Sequence, residues 1–114
     1  MSRRRSSSAF QAKDSASLFA ALGDETRLRM VLRLGGREPM SIARLTEGSK
    51  ITRQAITKHL RIMEQAGLVR GHWHGRERLW QLEPSRFKDA SHYLDLISRQ
   101  WDEALGRLRK FVED

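Results

Sequence analysis

The sequence predicts a mainly α-helical domain with one small β-hairpin, in the element order α-α-α-α-β-β-α, whose last helix is long. Apolar residues recur three or four positions apart over most of the 114 residues, a length that fits one domain. The pattern becomes strand-like only at 68–73 and 78–82. After Pro84 the chain carries neither Gly nor Pro until Gly106, which favours one long helix.

The four leading helices are delimited by capping residues and glycines. Helical spacing begins at Ala16, and the N-caps predicted for the next three helices are Asp24, Ser41 and Thr52. The predicted stops are Gly23, Gly35, Gly48 and Gly67. In the first helix Ala16, Phe19, Ala20 and Leu22 or Gly23 lie three or four positions apart, and the second helix carries Leu28, Val31, Leu32 and Leu34. The face expected to be buried in the third helix is Ile42, Ala43 and Leu45.

The two strand-like runs are expected to pair as a hairpin, since His74-Gly75-Arg76 between them is turn material. Two helices joined by a tight turn and followed by a hairpin have the order of a winged helix-turn-helix domain. We call residues 52–66 the recognition helix and the hairpin the wing.

The positive charge of the chain is unevenly placed. The 22 Lys+Arg and 14 Asp+Glu residues give a formal net charge of +8. Residues 1–13 hold four basic residues and no acid, and residues 50–80 hold seven basic residues against two acids, while the rest is nearly balanced. Clustered cations neutralise phosphates and supply most of the affinity for nucleic acid, so the clustering favours DNA over a simple role in solubility.

We expect two regions: a flexible basic tail at 1–13, and a winged helix-turn-helix DNA-binding domain at 14–114 that includes a C-terminal dimerisation helix at about 85–112. The cluster Arg3-Arg4-Arg5 of the tail either adds non-specific affinity for DNA or only keeps the chain soluble. No apolar run has the length of a transmembrane helix, and no signal peptide is visible, so no membrane partner is expected.

The recognition helix separates into two faces on a helical wheel. Ala55, Ile56, His59, Leu60, Met63 and Ala66 form its apolar side. The other side carries cations and neutral hydrogen-bonding side chains, with no acid before Glu64. His59 lies within the apolar side, where a packed histidine bonded to backbone, or one reaching a phosphate, is favoured over a metal ligand.

This polar face and the wing supply the predicted DNA contacts. Arg53 and Gln54 have the geometry to read guanine and adenine edges, and wing arginines commonly enter the minor groove. The predicted DNA-binding residues are Lys50, Thr52, Arg53, Gln54, Thr57, Lys58, Arg61, Arg76 and Arg78. Which of them read bases and which hold phosphates stays open.

The last helix has the pattern of a dimer element. Its apolar residues alternate spacings of three and four: Phe87, Ala90, Leu94, Ile97, Trp101, Ala104, Leu108 and Phe111. A helix of about 27 residues is roughly 40 Å long, more than one small domain covers. The predicted interface residues are Phe19, Leu94, Ile97, Trp101, Leu105 and Leu108. The alternative is a helix that packs only against its own domain.

Several short motifs, read together, resemble one family. Leu22-Gly23-Asp24-Glu25-Thr26-Arg27, the recognition helix ending in His59-Leu60, the exit Ala66-Gly67-Leu68-Val69 and the Gly75-Arg76 wing tip are similar in order and spacing to the ArsR/SmtB (arsenic-repressor) family. The resemblance covers about 15–112. It implies a homodimeric bacterial winged-helix regulator that binds palindromic operator DNA and mostly represses, in the cytoplasm and on the nucleoid.

The chain departs from that family at its metal sites. The thiolate site uses a cysteine pair in the third helix, and here the stretch 40–45 has no thiol because the chain has no cysteine. A second family site on the last helix uses histidines and carboxylates. This chain offers Asp89, His92, Asp102 and Glu103 but lacks the second histidine.

We therefore expect no metal site and no cofactor. The segment 97–111 further resembles a cysteine-free branch of the family. His72 and His74 on the wing are a weaker metal pair. The sequence identifies no small-molecule effector. It shows no nucleophile–base set or phosphate loop, so we expect no enzyme. The alternatives left open are a winged-helix module for protein or RNA without operator specificity, and a metal sensor that uses histidine and carboxylates.

Overall fold

The structure is a computed structural model that describes residues 12–36 and 38–113. Its elements are α1 (Ala12–Leu22), α2 (Glu25–Leu34), β1 (Met40–Ser41), α3 (Ile42–Thr46), α4 (Arg53–Gln65), β2 (Val69–His74), β3 (Glu77–Leu82) and α5 (Pro84–Glu113). This order confirms the predicted winged helix-turn-helix fold, in which α4 is the recognition helix and β2 and β3 are the wing. In this part of the chain, no helix is long and apolar enough to cross a membrane.

Helix α1 starts earlier than expected. It begins at Ala12 instead of Ala16, so Ala12 and Lys13 belong to a helix and the predicted tail is shorter at its C-terminal side. The remainder of that tail, with the Arg3-Arg4-Arg5 cluster, lies outside the described residues.

The three predicted N-caps are confirmed by their hydrogen bonds. Asp24 Oδ2 accepts from the Arg27 amide at 3.0 Å, and the hydroxyl oxygens of Ser41 and Thr52 each accept from the amide three residues later at 3.1 Å. Each of these bonds satisfies an amide that the first helical turn leaves without a partner, which is why the helices begin here.

The sheet has one strand more than the predicted hairpin. Its antiparallel order is β1-β3-β2, and the added strand pairs Met40 with Trp80 and Ser41 with Leu79. A strand of two residues is too short to show an alternating pattern, so no sequence pattern predicts it. In the wing, His74 pairs with Glu77, so the loop is the two residues 75–76 and His74 belongs to β2.

The core lies between the helices and one face of the sheet. Its fully buried large side chains are Leu18, Ile56, Leu60, Met63 and Leu68. Around them lie Ala21, Met30, Leu34, Leu45, Ala66, Val69, Trp80 and Ala90. The core thus fixes α4 against α1, α2 and the base of the wing.

Helical spacing does not by itself select the buried faces of the first three helices, and the expected burial of Ala43 in α3 is wrong. Helix α1 buries Leu18 and Ala21, while Ala16 and Ala20 are exposed. Apolar residues occupy two adjacent faces of α1, and packing rather than spacing selects one of them.

In α2 the buried residues are Met30 and Leu34, while Leu28 is half exposed and Leu32 is 80% exposed. Apolar residues surround most of this helix, so its spacing does not define a single face. In α3 only Leu45 is buried, and Ala43 is exposed.

Helix α5 leaves the domain after its first turns. It has 30 residues, which corresponds to about 45 Å, and the longest extent of the molecule is 66 Å. Ala90 is buried and Phe87 packs against the core. Beyond Ile97, every residue of α5 that the structure describes is exposed except the half-buried Ala104.

Candidate nucleic-acid interface

Helix α4 presents the two faces that its sequence predicts. Ile56, Leu60 and Met63 are buried against the core. The opposite face exposes Arg53, Gln54, Lys58 and Arg61, and Thr57 is half buried beside them. The buried face holds the helix rigidly, so the polar face is a fixed surface on the outside of the domain.

The turn before α4 adds one more cation to this surface. Gly48 adopts φ 71° where α3 ends, a conformation that favours glycine. Ser49 Oγ then accepts from the Ile51 amide at 3.0 Å, and Ile51 packs against the core. These contacts hold Lys50, which is exposed, beside the first turn of α4.

Both predicted threonine contacts have bonds within the helix. Thr52 caps α4, and the Thr57 hydroxyl donates to the Arg53 carbonyl at 2.8 Å. The Thr52 hydroxyl oxygen and the Thr57 hydroxyl proton are thus engaged with the helix backbone. For a DNA groove, Thr57 offers mainly its methyl group.

Three arginine side chains cap helices, a role that the sequence analysis did not predict. Arg27 Nε donates to the Ala21 carbonyl at the end of α1 at 2.6 Å. Arg33 donates to the Arg44 and Leu45 carbonyls of α3 at 3.0 and 2.9 Å. Arg86 donates through Nε and Nη2 to the Ala66 carbonyl at 3.3 and 3.2 Å, at the end of α4. A basic residue near a helix C-terminus is favourable, but only the fold shows which helix it caps.

Five exposed cations differ from these three arginines, and they are Lys50, Arg53, Lys58, Arg61 and Arg76. Within 12–36 and 38–113, no carboxylate forms an ion pair with any of these five at 4.0 Å or less. All five belong to the turn before α4, the polar face of α4 or the tip of the wing. Arg70, the sixth exposed cation of residues 50–80, pairs with Glu83 at 3.4 Å, so the exposed cations of this segment without such a partner lie on one surface.

The two predicted wing arginines have different surroundings. Arg76 is exposed in the loop, next to Gly75, which has φ 68°. Arg78 instead lies over two indole rings, with Cζ at 5.5 Å from the centroid of Trp73 and 5.0 Å from that of Trp80. Its Nη2 is also 3.7 Å from Glu64 Oε2. Arg76 is thus available to a ligand, and Arg78 is engaged inside the protein.

His59 is packed, as expected, but its partner is a side chain. It is half buried, and its Nδ1 lies 3.1 Å from Arg27 Nη1. The other histidines of the described chain, His72, His74 and His92, are exposed. No group of three or more metal-ligating side chains is brought together among residues 12–36 and 38–113, including the candidates on α5.

The predicted dimer residues form an exposed apolar surface on α5. Leu94, Trp101, Leu105 and Leu108 are each more than half exposed, with Trp101 at 63%. The other two predicted interface residues, Ile97 and Phe19, are half buried. The ring of Phe19 lies 6.3 Å from that of Tyr93, so α1 extends the apolar surface of α5.

The sequence matches a domain family and a known regulator. A helix-turn-helix domain family matches residues 22–72. The HTH-type transcriptional regulator Rv2034 of Mycobacterium tuberculosis is 32% identical over 93 residues, which cover 82% of this chain and 83% of that protein.

Two solved structures show the same architecture. An ArsR-like transcriptional regulator from Rhodococcus sp. RHA1 is 33% identical, with a TM-score of 0.75 over 87% of this chain and 92% of that one. The homodimeric winged helix-turn-helix DNA-binding domain from Mycobacterium bovis, a possible ArsR-family regulator, shares the fold at 16% identity, with a TM-score of 0.59 over 80% of this chain and 81% of that one. The similarity to Rv2034, the Rhodococcus structure and the geometry of the interface agree. This chain belongs to the ArsR family of winged helix-turn-helix transcriptional regulators.

Proposed function

We propose that the chain is a dimeric repressor that binds a palindromic operator through α4 and the wing. The observation that carries this proposal is the placement of charge. Three arginines cap helices, while five of the six exposed cations of residues 50–80 lie on the recognition helix, the turn before it and the wing tip. Phosphate neutralisation by such a surface supplies affinity, and the first turns of a recognition helix supply base contacts.

The roles of individual residues follow from their reach. Arg53 and Gln54 lie at the exposed start of α4, where side chains read base edges in the major groove. Lys50, Lys58 and Arg61 flank them and are assigned to phosphates. Arg76 at the wing tip is assigned to the minor groove or the adjacent backbone.

The dimer is supported by the surface of α5. Large apolar side chains such as Trp101 and Leu105 are seldom exposed side by side on a monomeric protein. Such a patch therefore marks an interface. A symmetric dimer formed through α5 would set two α4 helices one turn of DNA apart, about 34 Å, the spacing of the half-sites of a palindrome. Binding across a promoter excludes the polymerase and represses transcription from the chromosome, in the cytoplasm and at the nucleoid of a bacterial cell.

Catalysis is not part of this proposal, because the relatives are transcriptional regulators and the interface holds no catalytic set. Thiolate sensing has no ligand here, since the chain contains no cysteine. We assign no effector, cofactor or metal.

The test is binding of the purified protein to fluorescein-labelled duplex DNA from upstream of its own gene, followed by anisotropy at several salt concentrations. We expect specific binding that exceeds binding to a shuffled duplex by at least about 10³-fold. Arg53→Ala should reduce the preference for the operator, and Arg61→Ala should reduce the salt slope by about 0.9 while keeping the preference. Arg107→Ala, which removes the same charge from α5, is the control. Equal binding of operator and shuffled duplex would refute operator recognition.

A further inference from the structure

Arg78 on the wing has no DNA contact in the proposed function, and its surroundings differ from those of the other wing arginine. Its guanidinium stacks on Trp73 and Trp80 and approaches Glu64 of α4 at 3.7 Å. The Arg78 side chain is 35% exposed, and its Nε is buried without a hydrogen-bond acceptor among the described residues. A planar guanidinium suits this position because it stacks on aromatic faces and still presents N–H groups at its edge.

The backbone of β2 is shaped to receive this side chain. Gly71 is paired with Trp80, and a Cβ on Gly71 would lie 2.6 Å from Arg78 Nε and 3.0 Å from Trp80 Cζ3. Any other residue would displace the guanidinium from the strand. A glycine inside a strand often marks such a close approach, so the sequence contained a signal for this contact.

The partner on α4 is also placed for this contact. Glu64 is the one acidic residue of α4. It lies three positions after Arg61 and seven after Thr57, and therefore on the same side of the helix as the proposed DNA contacts. Pairing with Arg78 joins the wing to that side of α4 and neutralises the carboxylate beside the DNA-facing surface.

We infer that Arg78 is a positioning residue, which clamps the wing to the recognition helix through Glu64 and the two indoles and does not bind phosphate itself. This inference rests on the proposed DNA binding. The clamp sets the distance from α4 at which Arg76 and the indole of Trp73, 64% exposed, meet the DNA. A wing that is held less firmly has a lower affinity for DNA, because its side chains must then lose conformational freedom when the complex forms.

Three variants separate a clamp from a phosphate contact. Glu64→Gln removes only the charge of a half-exposed side chain and leaves the indole stack in place, so it is compatible with folding. Arg78→Lys keeps the charge but loses the planar stack. Arg76→Ala removes a proposed direct contact and is the matched control.

For a clamp, Glu64→Gln and Arg78→Lys should each weaken operator binding, by about 10-fold, with an unchanged salt slope. Amide hydrogen exchange of residues 71–78 in the DNA-free protein should be faster in both variants and unchanged in Arg76→Ala, whose salt slope should fall by about 0.9. The inference is overturned if Glu64→Gln tightens binding and steepens the slope, or if Arg78→Lys binds like the wild type.

The exchange measurement keeps this inference separate from the proposed function. If the wild type does not prefer its operator, operator recognition fails, and faster exchange in the two variants still supports the clamp. If exchange of the wing amides is the same in all variants, the clamp is refuted whatever the DNA affinity.

Discussion

Arg27 donates from Nη1 to the Nδ1 of His59 at 3.1 Å, and this contact joins α2 to the recognition helix. Arginine has no acceptor, so the His59 Nδ1 in this bond is unprotonated. The same guanidinium donates from Nε to the Ala21 carbonyl at the end of α1. One side chain therefore holds α1, α2 and α4 together behind the proposed DNA surface.

We expect Arg27→Gln to lower the free energy of unfolding by about 1–2 kcal/mol, because the Ala21 carbonyl and His59 both lose a donor in a partly buried position. Urea denaturation measures this change. Arg29→Gln is the control, since within the described residues Arg29 pairs only with the exposed Glu25 on the same helix and should change stability by less than about 0.5 kcal/mol. Equal effects of the two variants would contradict the joining role of Arg27.

We expect Asp24 to make the free energy of unfolding depend on pH. The hydrogen bond from the Arg27 amide, and then the charge of Arg27, hold the pKa of Asp24 below its usual value of 3.8. Since the folded state lowers this pKa, the stabilisation is present above the usual value and is lost as pH falls through the lowered pKa.

We therefore expect Asp24→Asn, which still caps α2, to lose less stability than the wild type when the pH falls from 6 to 3. Urea midpoints measured across this range check the prediction, and Glu38→Gln controls for the loss of one exposed carboxylate. Parallel pH curves for the wild type and Asp24→Asn would argue against it.

The local signals of the sequence predicted most of the fold because each is set by short-range chemistry. The caps Asp24, Ser41 and Thr52 and the polar face of α4 depend on neighbours within one or two helical turns. The buried faces of α1 and α2 do not follow from the sequence because both helices carry apolar residues on more than one side, and only tertiary packing decides between Ala16 and Leu18.

The candidate site was predictable in its cations but not in their partners. Lys58 and Arg61 are exposed, as the helical wheel indicates. Arg86 could not be assigned, since it caps α4 across 20 residues of sequence. Arg78 could not be distinguished from Arg76 either, because its contact with Glu64 exists only once the wing folds onto α4.

Gly67 should be harder to replace than another glycine of the same backbone conformation. Its φ is 78°, and an added Cβ would lie 2.8 Å from Arg86 Nε, which caps α4 at Ala66. Gly48 has φ 71° but nothing within 4 Å of an added Cβ. We expect Gly48→Ala to cost about 1 kcal/mol from backbone strain alone, and Gly67→Ala to cost measurably more because Arg86 is also displaced. Thermal unfolding of both variants compares them, and similar melting temperatures would show that Arg86 adjusts freely.

The exposed apolar surface of α5 predicts the oligomeric state. Trp101→Gln combined with Leu105→Gln removes two exposed apolar side chains from the proposed interface without changing charge. We expect sedimentation equilibrium at micromolar concentration to give a dimer for the wild type and a monomer for this variant, because apolar burial is the main attraction between the two helices.

The control applies a similar change to the other exposed apolar surface. Leu28→Gln combined with Leu32→Gln alters α2 and should leave the dimer intact. The α5 variant should also bind the palindromic operator at least about 10²-fold more weakly, since each subunit then binds its half-site without the high effective concentration that a linked partner provides. A monomeric wild type, or a control variant that dissociates while the α5 variant does not, would show that the dimer does not form through α5.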